Sequence, residues 1–191
     1  MRDFERPAGR LASLPFHARL AYTIFAAFTL AALLLTLVLA HDMVGLDGRD
    51  VSAYYAGETT HVASPPPHDG PQLELPTELT APSPPVPMAR RKLLETTHFH
   101  LFSLPIYLLV LSHLYMLSRA APRAKTAWIS AGTVGVATHV AAPWIAAYFP
   151  AIGRPTFLIT GALLFFPLLW MCVAPLVEMW QRPPQKPTAS A

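Results

Sequence analysis

The chain has 191 residues, 53% hydrophobic and 13% charged. A soluble domain carries about 25% charged residues, and the mean hydropathy of +0.37 points the same way, so an ordinary cytosolic globule is excluded. The single cysteine, Cys172, excludes an intrachain disulfide and a thiolate-rich metal centre. A net charge of +3 with no basic, aromatic-interleaved stripe excludes a nucleic-acid surface.

Residues 1–19 form an N-terminal segment bearing Arg2, Arg6, Arg10 and Arg19. Residues 20–40 then run without a charge, long enough to cross a bilayer core of about 30 Å as a helix. A cleaved signal peptide is the competing reading, with Val38-Leu39-Ala40 as a weak cleavage site. The apolar run of 21 residues exceeds the usual core of about 7–15, so the segment reads as an uncleaved anchor.

Residues 41–96 form the loop that follows. Within it, 47–57 reads as a short helix, with Asp47 able to cap its start and Gly57 able to end it in the left-handed conformation. Residues 58–90 hold nine prolines in 33 positions, among them Pro65-Pro66-Pro67. That composition makes an extended spacer rather than a core. Met88 to Thr96 is helix-prone and leads into the next apolar segment.

The second span is 97–117, followed by a turn at 118–127. The third is 128–148, followed by a turn at 149–156. The fourth is 157–177, and 178–191 is a tail. Lipid leaves the backbone no water to bond, so these spans are helices. The fold class is therefore all-α: an integral-membrane four-helix bundle with a proline-rich loop. Tyr22, Tyr115, Trp128, Trp144, Tyr148 and Trp180 lie near span ends, as an aromatic belt places them. Pro167 and Pro175 interrupt the hydrogen bonding of the fourth span.

Nine Lys and Arg residues lie on the side of the termini and five on the other side. The positive-inside rule then sets both termini in the cytoplasm of a bacterial-type inner membrane and residues 41–96 outside. Arg90-Arg91-Lys92 runs against that trend.

Eight histidines carry the candidate chemistry. His61 and His68 lie in the spacer and read as solvated residues; His17 and His41 flank the first span. His100, His113 and His139 lie inside spans, where ionisable groups are costly and face a bundle interior or a cofactor. Haem b is the cofactor that fits best, because imidazole is a good axial ligand and a macrocycle fills an apolar bundle. Gly132, Gly135, His139 and Ala142 share one helical face, leaving room for a flat porphyrin. The same small residues also serve close helix packing, so both readings stand.

At about 1.5 Å per residue, His100 lies a few Å below the outer surface, His139 roughly 10–14 Å, and His113 over 20 Å. His100 with His139 is the better match in depth, and His113 is the alternative ligand.

Glu95, His98 and His100 read E-x-x-H-x-H at the outer mouth. Glu95 and His98 share a helical face and suit a proton role in quinol oxidation. With His41 they also suit zinc or copper. The bland reading is a hydrated helix entrance, with Glu95 offsetting the helix dipole.

The stretch Lys92-Leu93-Leu94-Glu95-Thr96-Thr97-His98-Phe99-His100-Leu101-Phe102 resembles one in poorly characterised four-helix membrane proteins of bacteria. Tyr54-Tyr55-Ala56-Gly57 is similar to their outer loop. More loosely, a histidine-bearing four-helix bundle resembles the cytochrome b561-like haem proteins. That second resemblance implies haem and electron transfer between the quinone pool and an extracytoplasmic cytochrome or other redox subunit. The histidines depart from the paired spacing of a two-haem cytochrome, which leaves one haem. The competing expectations are a non-catalytic anchor or assembly subunit without a cofactor, and a metal-handling protein.

Overall fold

The computed structural model describes residues 11–57 and 87–181. Five helices follow in order: α1 (Phe16–Val44), α2 (Val51–Ala56), α3 (Arg90–Met116), α4 (Pro122–Tyr148) and α5 (Pro150–Trp180). Among the described residues there is no strand. The four long helices are each long and apolar enough to cross a membrane, and together they form a four-helix membrane bundle. The spacer lies almost wholly outside the described residues, as do the ends of the chain.

The helices outrun the apolar segments, because backbone hydrogen bonding does not stop where hydropathy does. α3 starts at Arg90, so the helix-prone stretch before the second span joins it and carries Glu95, with His98 one turn on. The turn expected at 149–156 shrinks to Phe149, because α5 is helical from Pro150. Proline has no N–H to lose at a first helical position, and its φ is already set for one. Pro122 opens α4 in the same way. The short helix expected from Asp47 begins instead at Val51. Residues 45–50 are spent on turns through Gly45 (φ 71°) and Gly48 (φ 68°), and Asp50, just before the helix, makes no capping bond. Gly57 ends α2 at φ 70°, its N–H reaching the Ala53 and Ser52 carbonyls.

α5 is the organising helix. It packs on α1, α2, α3 and α4, most closely along α4, whereas α1 packs on α5 and α2. The core joins Ala26, Leu111, Tyr115, Val136, Leu164, Leu168, Met171 and Cys172. Tyr115 thus belongs to the core and not to an aromatic belt; its hydroxyl accepts the Trp170 indole N–H at 3.2 Å. A second cluster joins α2 to one end of the bundle through Val44, Val51 and Ala146, with Tyr54, Tyr55 and Phe157 packed against it. At the opposite end, the Arg119 N–H donates to Glu178 Oε2 at 2.7 Å, and the guanidinium lies 3.6 Å from Oε1.

Candidate functional site

His100 on α3 and His139 on α4 meet near the α2 end. Their ring centroids are 5.9 Å apart and their planes stand at 84°. α3 and α4 run antiparallel, and a hydrogen bond joins them about one turn nearer that end. There the Trp144 indole N–H donates to Thr97 Oγ1 at 2.7 Å. His100 is three residues beyond Thr97 and His139 five before Trp144, offsets of about 4 and 7 Å along the axes.

His139 Nδ1 is buried and has no hydrogen-bond partner. A buried polar atom left so costs about 1–3 kcal/mol. The ring of Phe157 lies 6.1 Å from that of His139. Tyr55 lies 5.8 Å beyond Phe157, and Tyr54 4.9 Å from Tyr55. Aromatic rings therefore roof the pair on the α2 side. Burial, helped by the neighbouring Tyr54, pushes the Tyr55 hydroxyl up to about 12, so α2 presents a neutral phenol there at physiological pH.

The other site residues do not join this pair. The Glu95 carboxylate takes the Arg91 Nε at 3.1 Å, one turn back, with Lys92 Nζ at 4.0 Å. His98 rests on Phe102, one turn forward, with ring centroids 5.0 Å apart. No hydrogen bond links Glu95 to His98, because their side chains lean opposite ways along the helix. His113 is exposed, its Nδ1 3.1 Å from the Leu109 carbonyl. His41 is exposed at the end of α1. Among the described residues no three His, Cys, Asp or Glu side chains are placed to hold a metal ion, so His41, Glu95 and His98 form no such group. His61 and His68 lie outside the described residues.

The glycine face of α4 is closed, and this corrects the reading of Gly132 and Gly135 as a porphyrin groove. A Cβ on Gly135 would lie 2.3 Å from the Leu163 carbonyl oxygen and 2.8 Å from the Leu164 nitrogen. On Gly132 it would meet Leu108 Cδ1 at 2.9 Å and Met171 Cε at 3.1 Å. The stripe is where α5 and side chains of α3 and α5 press onto α4, the usual work of small residues between membrane helices.

The centroid spacing of the imidazole pair is compatible with both rings reaching one metal ion. Two imidazoles bonded to one metal at about 2 Å put their ring centres about 6 Å apart, against 5.9 Å here. Haem iron asks the protein for two axial ligands only. A tetrahedral zinc asks for three or four, and no third side chain is at hand among the described residues. A macrocycle could not occupy the Gly132–Gly135 face.

Sequence reasoning missed Thr97 and Phe157. Neither carries a signal of its own: a threonine near a helix end and a phenylalanine in a span are ordinary.

A family model described as a transmembrane helical domain matches residues 45–186. That stretch takes in α2 to α5, with both histidines of the pair, and leaves α1 outside. No curated protein and no solved structure matches the chain.

Proposed function

The chain belongs to the transmembrane helical domain family Aq_1264_TM, and from that premise we propose that it is a membrane b-type haem electron-transfer protein or the membrane subunit of a redox complex. His100 and His139 would hold the haem iron. The observation that carries the reading is the meeting of two imidazoles from different helices, one with a buried nitrogen lacking any partner.

A haem held by two imidazoles supplies one-electron transfer between ferrous and ferric iron. The chain's own work is to hold and shelter. α3 and α4 each supply one imidazole, which removes the cost of an unsatisfied nitrogen in the bundle. Phe157 packs on the His139 ring, with Tyr55 of α2 beyond it. In the proposed orientation the α2 end is extracytoplasmic, in a bacterial inner membrane, and both termini are cytoplasmic. The redox group then lies in the outer leaflet, between a membrane quinone pool and an extracytoplasmic acceptor. Glu95 lies apart from the pair, its carboxylate within reach of Arg91 and Lys92.

The test is the absorption spectrum of detergent-purified protein expressed with ample haem. Low-spin b-type bands are expected in the wild type. His100→Ala and His139→Ala each abolish them, whereas His113→Ala and His98→Ala leave them in place. A wild-type preparation without haem overturns the proposal.

A further inference from the structure

Two polar ties span the seam between α3 and α4 among the described residues. At the end away from α2, Lys125 Nζ donates to the Met116 carbonyl at 2.8 Å. At the α2 end, the Trp144 indole N–H donates to Thr97 Oγ1 at 2.7 Å. α4 follows α5 more closely than it follows α3; α3 meets α4 in mid-span through Leu108 against Gly132, and these ties close the seam at its two ends. The second tie lies next to the imidazole pair; the first is about 20 Å away along the helix axis.

The Thr97 hydroxyl is built for one geometry. It donates to the Leu93 carbonyl at 2.8 Å, which leaves its oxygen as the acceptor for the indole. The Trp144 ring is itself held by stacking on Tyr148, with centroids 6.1 Å apart and planes at 13°. No second hydrogen bond ties α3 to α4 at this end among the described residues. A broken tie therefore releases the α2 end of α3 from α4 at the depth of His100.

We infer that the Thr97–Trp144 hydrogen bond is the positioning device that sets the His100–His139 spacing. Thr97 and Trp144 are positioning residues; they act through the two imidazoles. Only the spectroscopic arm of the test rests on the haem reading above.

The experiment compares Trp144→Phe, Thr97→Ala and Thr97→Ser with the wild type. Phenylalanine keeps the ring and its stacking but has no N–H; serine keeps the hydroxyl that alanine removes. The first arm is solid-state NMR in lipid bilayers on protein without added haem and with isotope-labelled histidine. A ring-to-ring cross-peak between His100 and His139, identified by its absence in His139→Gln, is expected in the wild type and in Thr97→Ser. It is lost in Trp144→Phe and Thr97→Ala, while helical content by circular dichroism is unchanged. The second arm is the haem-loaded spectrum, in which low-spin bands give way to high-spin bands in the same two variants and return in Thr97→Ser. A cross-peak that survives in both Trp144→Phe and Thr97→Ala overturns the inference. So does a wild type without the cross-peak. Should Trp144→Phe fail to insert, the alanine and serine variants at Thr97 decide alone. A wild type that shows the cross-peak and binds no haem removes the proposed function and supports the positioning role whenever Thr97→Ala loses that peak.

Discussion

Replacing Gly135 by alanine puts a methyl carbon 2.3 Å from the Leu163 carbonyl oxygen, 2.7 Å from its carbon and 2.8 Å from the Leu164 nitrogen. Ordinary contact begins near 3.4 Å, so the α5 backbone has to retreat by about 1 Å, in the range where overpacking costs about 1–3 kcal/mol. All three obstructing atoms are main chain and cannot swing aside, so the cost belongs at about 3 kcal/mol, the upper end. Gly132→Ala meets only the tips of Leu108 and Met171, which can turn away, and costs about 1 kcal/mol or less. Gly161→Ala meets nothing within 4 Å and is the control, because any gain in helix propensity is common to all three. The assay is denaturation of the detergent-solubilised apoprotein with a denaturing detergent, followed by helical circular dichroism. The order of stability is Gly161→Ala, then Gly132→Ala, then Gly135→Ala. A Gly135→Ala protein within about 0.5 kcal/mol of Gly161→Ala would refute the packing argument. If that protein also lost haem, the glycine face would be a porphyrin groove after all.

At the opposite end of the bundle, Glu178→Leu leaves the Arg119 N–H without its acceptor and the guanidinium without its partner. A loss of about 1–3 kcal/mol is expected in the same denaturation assay. Glu178→Gln keeps an acceptor for the N–H and costs about 1 kcal/mol or less, since the Arg119 side chain is partly solvated. Equal losses in the two would show that the ion pair, not the backbone bond, holds the turn. For orientation, single cysteines replace Arg49 at the α2 end and Gln181 after α5, both exposed, in a Cys172→Ser background. An impermeant thiol reagent on intact cells is expected to label the first and spare the second; the reverse pattern inverts the proposed topology.

The architecture was legible because lipid allows a 20-residue apolar run few structures other than a helix. The helix ends were less legible, for a physical reason. Hydropathy reports where a chain leaves the bilayer, whereas a helix ends where its hydrogen bonds find caps or a breaker. α2 starts at Val51 rather than at Asp47, and Pro150, a breaker inside a helix, opens α5 from its first position. The depth of His139 between those of His100 and His113 could not by itself choose a neighbour, because helix tilt and stagger shift depth by several Å. What chooses is a bond between Thr97 and Trp144, 47 residues apart, and no periodicity records such a pairing. The glycine stripe shows the same limit. Its spacing reveals that one face of α4 is small, but a porphyrin and a neighbouring helix ask for the same smallness; only the Leu163 carbonyl against Gly135 separates them. That contact also narrows the haem reading. With the glycine face taken by α5, an iron bound to His139 has to sit toward α3, where His100 is the histidine whose ring meets that of His139. In that reading both imidazoles would hold one iron, and loss of either would remove the same low-spin signal. A protein that kept its low-spin bands in His100→Ala would place the second ligand elsewhere and break the link between this seam and haem.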